Sequence, residues 1–149
     1  MNIRKWSGQE IKEIIGLCRQ TIEEVNSREY TPEQIRAWLS GIGSEAWQAA
    51  LSRQEIWIAE KEGRLAGFCT RDSHGYVDSL FVHADYQRQG IGSALCEAAE
   101  AGMKKTWAHV SLTAKPFFLS RGYRCIAKEY AERKGIQLPR FLMEKTFGE

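Results

Sequence analysis

The sequence lacks the features that mark membrane, secreted or multidomain proteins. No apolar run approaches the roughly 20 residues that a membrane helix needs, and no apolar stretch follows the cations Arg4 and Lys5, as a signal peptide would require. The 149 residues contain only three prolines, no repeats and no low-complexity or linker segment. We therefore expect a single cytoplasmic domain over residues 1–149, without a membrane segment.

The sequence also lacks metal-binding patterns. The four cysteines are widely spaced and form no Cys-x-x-Cys pair, and the three histidines show no metal-ligand spacing. We expect no disulfide framework and no metal, with the cysteines acting as small buried hydrophobes in a reducing compartment. The histidines are interpreted as surface or loop residues. These residues are Cys18, Cys69, Cys96, Cys125, His74, His83 and His109.

A strong excess of charge is absent as well. The formal net charge of +2 is too small to indicate a nucleic-acid surface. From residue 101 onward, however, ten Lys and Arg face four acids, so the last third carries a net charge of +6. This distribution suits a small polyanionic ligand with several phosphates, and on charge alone a solvated lysine face explains it equally well.

The first half of the chain is predicted to be mainly helical. A short strand is expected at residues 3–6, and Ser7 with Glu10 has the spacing of a capping box before a helix over residues 8–25. Thr31 followed by Pro32 predicts the start of a second helix, with the threonine at its N-cap. A short third helix is expected over residues 46–51.

The second half alternates between strands and helices. Two strands joined by a turn at Glu62-Gly63 are expected, followed by a third strand, a glycine-rich turn and an amphipathic helix. A strand, a short helix and two further strands complete the chain. The predicted strands are 56–59, 65–70, 76–82, 108–112, 123–127 and 140–143, and the short helix is 114–120. This order predicts a mixed α/β domain.

The most informative segment joins the strand that ends at Phe81-Val82 to the following helix. It reads Gln87-Arg88-Gln89-Gly90-Ile91-Gly92-Ser93. The first turn of a helix has N–H groups without intrahelical partners and a partial positive charge, so glycines there let a bulky anion approach the backbone. A P-loop would need a lysine after the second glycine, and a Rossmann turn would need a third small residue and a position at the first strand. The segment fits both poorly.

The segment resembles the Gln/Arg-x-x-Gly-x-Gly/Ala signature of the GNAT acetyltransferase superfamily. About 30 residues downstream, the run Ala114-Lys115-Pro116-Phe117-Phe118-Leu119-Ser120-Arg121-Gly122-Tyr123 is similar to the second signature of the same superfamily. The resemblance covers residues 56–123 in its motifs and the whole chain in its order of elements. The segments around Tyr30-Thr31-Pro32 and Ala114-Lys115-Pro116 also resemble the YafP-like subgroup.

The resemblance implies a GNAT-like fold and an acetyl-CoA site. The central sheet would be mixed and mostly antiparallel, splayed where strands 76–82 and 108–112 part, with helices on both faces. The pantetheine arm would bond to the main chain of this first strand, and the pyrophosphate would lie on the amides of residues 87–92. The implied acetyl-CoA residues are Leu80, Phe81, Val82, Gln87, Arg88, Gln89, Gly90, Ile91, Gly92, Ser93, Phe117 and Phe118. No metal is needed, because the acyl group is already a thioester.

The resemblance also implies direct transfer of the acetyl group to an amine. Such a transfer needs a base, and Asp78 is our candidate, with Tyr76 positioning the acceptor. The main-chain N–H of Val82 would meet the developing oxyanion. The usual tyrosine acid falls on Phe118, which has no proton to give, so either the thiolate leaves without a side-chain acid or another hydroxyl, that of Ser111 or Tyr123, protonates it. A structural role for Asp78 is equally compatible with the sequence.

The acceptor is expected between the first two helices and the last hairpin. Tyr30, Trp38, Trp47 and Trp57 are predicted for one wall, and Tyr130, Arg133 and Phe141 for the other. Such a pocket suits a small, partly apolar amine or a peptide terminus, bound by a monomer or homodimer. Two alternatives stay open: a non-catalytic acyl-CoA-binding module, which Phe118 favours, and a nucleotide-binding protein of another fold.

Overall fold

The computed structural model describes residues 1–148, which form seven strands, five α-helices and two 3₁₀ turns. The 3₁₀ turns are Asn26–Arg28 and Ala84–Tyr86. The strands are β1 Asn2–Lys5, β2 Glu55–Lys61, β3 Arg64–Arg71, β4 Val77–Val82, β5 Lys105–Ser111, β6 Arg124–Arg133 and β7 Ile136–Thr146. The helices are α1 Ile11–Glu24, α2 Pro32–Leu39, α3 Glu45–Ser52, α4 Ile91–Glu100 and α5 Lys115–Ser120. None of the helices among these residues is long and apolar enough to cross a membrane.

The strands form two antiparallel sheets that meet edge to edge. The first sheet has the order β1-β2-β3-β4 and the second has the order β5-β7-β6. A single parallel bridge between Tyr76 and Trp107 joins them, just before β4. Beyond this bridge β4 and β5 separate, which confirms the predicted mixed, mostly antiparallel and splayed sheet.

Helices cover both faces of the sheets, as predicted. On one face, α4 buries Ile91, Leu95 and Ala99 against the first sheet and β5. On the other face, α1 buries Ile14 and Cys18 against β2 and β3. A third cluster of buried residues packs α1 and α2 against the hairpin of β6 and β7. Burial of apolar side chains at these three contacts stabilises the packing of the helices on the sheets. The helices thereby fix the positions of the strand ends at the gap.

The predicted capping box at Ser7 and Glu10 is wrong. The Ser7 hydroxyl donates to the Glu10 carboxylate over 2.9 Å, and the same carboxylate pairs with Arg4 at 2.6 Å. Since Glu10 is engaged in this way, α1 begins only at Ile11, and no side chain caps it. The second predicted start is confirmed, because Thr31 and Gln34 form a reciprocal capping box around the first turn of α2.

The last two strands are longer than predicted. β6 extends to Arg133 and β7 runs from Ile136 to Thr146, joined by a turn at Lys134-Gly135 in which both residues have positive φ. The inward-facing positions of this edge strand are Ala127, Glu129 and Ala131, and because a charged residue stands between two small ones, the sequence of β6 shows no clear hydrophobic alternation. Backbone pairing with β7, a partner that the sequence pattern does not reveal, extends this strand.

Candidate functional site

The gap between β4 and β5 opens directly beyond the point where the two sheets meet. The Trp107 N–H donates to the Gly75 carbonyl over 3.0 Å, and the Tyr76 and Trp107 rings lie 4.3 Å apart by their centroids. These contacts hold the N-terminal ends of both strands together. Their C-terminal ends, free of each other, leave main-chain groups facing the gap.

The main chain of β4 presents alternate residues to the gap. The His83 N–H donates to the Ala66 carbonyl next to β3 over 2.7 Å, so the odd-numbered residues turn their N–H and C=O groups towards β3. In an antiparallel pair, the alternate residues then face the other way. Leu80 and Val82 thus offer donors and acceptors to the gap, and the Val82 carbonyl accepts from the Gln87 side chain over 2.6 Å.

The N-terminus of α4 opens into the same gap. Gly90 occupies the N-cap position with φ of 82°, a left-handed conformation that favours glycine, and Arg88 is also left-handed with φ of 61°. No side chain caps this end of the helix. Its first amides therefore have no intrahelical partner and point out of the helix, as an anion site requires.

The second glycine of the motif makes room for an aromatic ring. A Cβ atom on Gly92 would lie 3.2 Å from Cζ of Phe117 and 3.8 Å from a methyl group of Val82. The ring of α5 therefore packs directly on the first turn of α4. The sequence interpretation assigned this glycine to the approach of an anion, and the structure gives it a packing role as well.

A cleft of about 1000 Å³ follows this gap from the α4 N-terminus to α5. All but one of the residues predicted for acetyl-CoA line it, and the exception is Gln89, whose side chain contacts Lys61 instead. The residues that line it are Leu80, Phe81, Val82, Gln87, Arg88, Gly90, Ile91, Gly92, Ser93, Phe117 and Phe118. The Gln89 side chain is therefore directed away from the cleft, and its predicted contact with acetyl-CoA can be made only by its main chain.

The aromatic residues of α5 form the apolar end of this cleft. Phe118 is 3% exposed and packs edge-to-face on both Phe117 and Tyr123. Tyr123 lies behind it, where its hydroxyl donates to Glu100 over 2.6 Å and contacts Thr106 at 2.7 Å. Burial, followed by the hydrogen bond to Glu100, raises the pKa of Tyr123 far above its usual range. The Tyr123 hydroxyl is therefore bonded within the core and faces away from the cleft, unlike a proton donor for the thiolate.

A chain of contacts leads from β4 to the surface through a histidine that the sequence analysis set aside. The Tyr76 hydroxyl lies 2.9 Å from Nδ1 of His109, and Nε2 of His109 lies 3.1 Å from the Glu129 carboxylate. Burial, together with the charge of Asp78, raises the pKa of Tyr76 to about 12, so its hydroxyl keeps its proton at neutral pH. Burial and the positive charge of Arg140 lower the pKa of His109.

The tautomer of His109 follows from these partners. A carboxylate accepts hydrogen bonds only, so the Glu129 contact places the ring proton on Nε2. Nδ1 is then an acceptor, and the Tyr76 hydroxyl donates to it. The lone pairs of the Tyr76 oxygen remain available to accept from a further N–H group.

The other two predicted catalytic residues have partners of their own. Asp78 is exposed and accepts from the Gln54 amide over 2.8 Å. The Ser111 hydroxyl accepts from the Ala114 N–H over 3.1 Å, which closes the turn between β5 and α5. Both residues line the cleft. The Asp78 carboxylate can accept further hydrogen bonds, and the Ser111 hydroxyl still has its proton to donate.

A second pocket of about 510 Å³ adjoins the cleft on the side of α2, α3 and β7. Of the predicted acceptor walls it contains Tyr30, Trp38, Trp47 and Arg133. The other three lie elsewhere. Trp57 packs between the cations Lys5 and Arg71, Tyr130 is 57% exposed on β6, and Phe141 joins the core beside Lys115. The cleft and the pocket share Trp38, Asp78, Ser79, Phe81, His109 and Ser111.

Sequence reasoning missed His109 and several residues that contact or neighbour the wall shared by the cleft and the pocket. His109, Glu129, Gln54 and Arg140 come from four elements or loops, and no short motif connects them. An alternation on β5 that brings His109 and Ser111 to one face was the one available signal. No cluster of His, Cys, Asp or Glu in residues 1–148 could hold a metal ion.

Comparison with known proteins adds the evolutionary context. Residues 26–147 match the model of the acetyltransferase (GNAT) domain family. The chain is 29% identical to the N-acetyltransferase YafP of Escherichia coli K12 over 143 residues, which cover 96% of this chain and 94% of that protein. It superposes on a GCN5-related N-acetyltransferase from Rhodopseudomonas palustris with a TM-score of 0.92 and 28% identity, covering 98% and 95% of the two chains.

A more distant solved structure shares the fold. The PaiA N-acetyltransferase of Thermoplasma acidophilum, solved in complex with coenzyme A, superposes with a TM-score of 0.70 and 20% identity over 98% of each chain. These similarities confirm the predicted resemblance and the predicted fold class. They also remove the alternative of a nucleotide-binding protein of another fold.

Proposed function

This chain belongs to the GNAT acetyltransferase family, and we propose that it transfers the acetyl group of acetyl-CoA directly to a primary amine of a small molecule or peptide. The family and the fold identify the enzyme as an acetyl-CoA-dependent N-acetyltransferase. Our proposal adds the acceptor class, the residues that act, and the arrangement of the chain as one cytoplasmic domain working as a monomer or homodimer.

The observation that carries the proposal is the junction of the cleft with the second pocket. A cleft that ends at a helix N-terminus suits a ligand with a pyrophosphate and a long arm. The pocket beyond it opens on Tyr76 and Asp78. An acyl donor in the cleft and an amine in the pocket would meet beside the shared residues. The PaiA N-acetyltransferase, which shares this fold, was solved in complex with coenzyme A, and this supports coenzyme A as the ligand.

Acetyl-CoA fits the residues that line the cleft. We propose that the amides from Gln87 to Gly92 hold its pyrophosphate, with Ser93 and the cation of Arg88 beside them. The main-chain groups of Leu80 and Val82 would pair with the pantetheine arm like an added strand. Phe117 and Phe118 would cover the thiol end and exclude water. Acetyl-CoA supplies the activated thioester, so no metal is required.

The residues of the junction divide the remaining work. Asp78 is proposed as the base that takes the proton of the incoming ammonium, directly or through water. The Tyr76 oxygen accepts one N–H of the amine, because its own proton is donated to His109, and so aims the nitrogen lone pair. The Val82 N–H donates to the carbonyl oxygen as negative charge develops there. We propose the Ser111 hydroxyl as the proton donor for the departing thiolate.

A thiol-release assay with purified protein, acetyl-CoA and a panel of amines, amino acids and peptides tests the proposal. Thiol release that depends on one class of acceptor supports it. A flat panel, in a protein that still binds coenzyme A by calorimetry, would favour the non-catalytic binding module instead. Failure to bind coenzyme A at all would contradict the cofactor assignment.

A matched pair of variants tests the cleft itself. Gln87→Glu adds a negative charge where the pyrophosphate is expected and also removes the side-chain donor to the Val82 carbonyl, and we expect at least tenfold weaker binding of coenzyme A. Gln9→Glu adds the same charge at an exposed position before α1 and should leave binding unchanged. Equal affinities for the two variants would place the phosphates elsewhere.

A further inference from the structure

The pocket beside the cleft combines an apolar body with an uneven set of charges. Aromatic and aliphatic side chains make up most of its wall, among them Trp38, Trp47, Ile42 and Leu138. Its charged lining residues are one acid, Asp78, and two arginines, Arg133 and Arg140. A pocket for a simple amine would need the acid alone. The two guanidinium groups therefore call for a second, negatively charged group on the ligand.

Arg140 has unused hydrogen-bonding capacity inside this pocket. Its Nε atom is buried and has no hydrogen-bond acceptor in residues 1–148. The nearest carboxylate, that of Glu129, lies 4.0 Å from Nη2, beyond hydrogen-bond distance, and is already bound to His109 at 3.1 Å. The Nε atom itself is out of reach of a ligand, but 31% of the Arg140 side chain is exposed. A ligand carboxylate can therefore bind the Nη groups, because the planar guanidinium presents N–H groups that match the two oxygens of a carboxylate.

Arg133 is the second cation of the pocket and lies nearer its mouth. It is exposed, and its Nη1 atom donates only to the carbonyl of the neighbouring Glu132 over 2.9 Å. Together the two arginines make the side of the pocket formed by the β6–β7 hairpin positive, whereas Asp78 makes the β4 side negative. An acceptor with both charges would be oriented before it reaches the cleft.

The separation of the two sides limits the length of the acceptor. Arg140 is the direct register partner of Ser111, and Ser111 lines both the cleft and the pocket. The Glu129 carboxylate lies 4.0 Å from Nη2 of Arg140 and 3.1 Å from Nε2 of His109, and Nδ1 of the same ring lies 2.9 Å from the Tyr76 hydroxyl. A carboxylate on Arg140 and an amine beside Tyr76 are therefore no farther apart than this chain of contacts, which a small molecule can span.

We propose that the acceptor is a free amino acid, or a close analogue, with a large apolar side chain. Its carboxylate binds Arg140, its amine points to Tyr76 and Asp78, and its side chain packs on Trp38 and Trp47. A pocket of 510 Å³ is in the usual range for a small molecule of this size. This inference rests on the proposed function and names the acceptor class of the same site.

Calorimetry on the protein saturated with coenzyme A tests the inference through binding. The probes are matched sets built on indole, phenyl and isobutyl groups: the amino acid, its amide, its decarboxylated amine and its deaminated acid. In at least one set we expect the amino acid to bind about tenfold more tightly than both its amide and its decarboxylated amine. Equal affinity for amino acid and amide in every set, or no binding in any set, would overturn the proposal.

Variants of the arginine separate a binding role from a structural one. Arg140→Gln should weaken the amino acid and the deaminated acid at least tenfold and leave the decarboxylated amine unchanged, and Arg140→Lys should recover part of the loss. Arg124→Gln, on an exposed arginine of β6 that lies outside the pocket lining, is the control and should change none of the affinities. Equal loss for all probes in Arg140→Gln would contradict the inference.

Turnover, measured separately by thiol release, distinguishes this inference from the proposed function. Acetylation of amines regardless of a carboxylate would overturn the inference and keep the proposed function. Carboxylate-dependent binding without turnover of any amine would keep the inference about the ligand and contradict the proposed function.

Discussion

The Tyr76 hydroxyl lies 2.9 Å from Nδ1 of His109 and joins the start of β4 to the middle of β5 just before the sheets part. Glu129 of β6 sets the proton on the far side of the imidazole at 3.1 Å. Three strands thus orient one phenolic oxygen towards the acceptor pocket. We have proposed that this oxygen positions the acceptor amine, and the contacts of Tyr76 explain how its ring would be oriented for that role.

Removal of the Tyr76 hydroxyl is the first prediction. Tyr76→Phe should lower kcat about 10- to 100-fold, because the amine loses the acceptor that aims its lone pair, while the dissociation constant of coenzyme A stays the same. Steady-state kinetics and calorimetry measure the two effects. Tyr130→Phe, an exposed tyrosine of β6, is the control. Equal kcat for the two variants would remove Tyr76 from the mechanism.

The protonation of His109 gives the second prediction. Its pKa is lowered by burial and then by Arg140, so an NMR titration should find it below the ordinary value of 6.5. Because Arg140 lowers this pKa and Glu129 raises it, Arg140→Gln should move the midpoint up and Glu129→Gln should move it down. Shifts in the opposite directions would contradict the assigned contacts. His109→Gln identifies the resonance.

The same shift sets the sign of a pH dependence. A histidine with a lower pKa in the folded state takes up its proton first in the unfolded state, so acid favours unfolding. The free energy of unfolding contributed by His109 is fully present above pH 6.5 and falls as the pH drops below that value. Activity should fall in the same direction, since a protonated Nδ1 no longer accepts from Tyr76. Chemical denaturation of wild type and His109→Gln at several pH values measures this contribution.

The packing of Gly92 on Phe117 yields the third prediction. Gly92→Ala puts a Cβ atom 3.2 Å from the Phe117 ring, so this ring, which lines the cleft, must shift by a few tenths of an ångström, and we expect up to about tenfold weaker binding of coenzyme A. Phe117→Leu in the same chain should restore part of the affinity. Gly16→Ala, at an exposed position of α1 with open space around its Cβ, should leave binding unchanged and stabilise the fold by about 0.5–1 kcal/mol.

The buried ion pair behind the cleft gives the fourth prediction. Arg121 lies 2.5 Å from Glu100, and both side chains are largely buried, with 12% and 6% exposed. Arg121→Ala leaves the carboxylate buried without its cation and should lower the free energy of unfolding by about 3–5 kcal/mol. Arg124→Ala removes an exposed partner of Glu144 and should have little effect. Urea denaturation of both variants compares the two, and equal stabilities would contradict the prediction.

Phe118 supports a fifth prediction, for catalysis. This ring lines the cleft at the position where the superfamily signature has a tyrosine. Phe118→Tyr adds a hydroxyl that can protonate the departing thiolate, and we expect kcat to rise about tenfold. Phe147→Tyr, outside the lining of the cleft, is the control. An unchanged kcat in single-turnover measurements would show that thiolate departure needs no side-chain acid.

The helical starts illustrate how far local patterns reach. Thr31 and Gln34 form the predicted capping box because both residues are free to bond to the α2 backbone. Ser7 and Glu10 have the same spacing, but Arg4 takes the Glu10 carboxylate. A local motif predicts a local structure only when no residue from outside the motif competes for its polar groups.

The sequence by itself determined the glycine motif at the start of α4, the order of most elements and the class of chemistry. These rest on backbone rules, since a positive φ at Gly90 and free amides at a helix start are properties of a few consecutive residues. Only the tertiary structure decided that Tyr76 meets His109, which lies 33 residues later in the chain, that Arg140 lines the second pocket and that Trp57 does not. Those contacts depend on strand register and on how two sheets meet, and long-range pairing of this kind has no periodicity that one sequence can display.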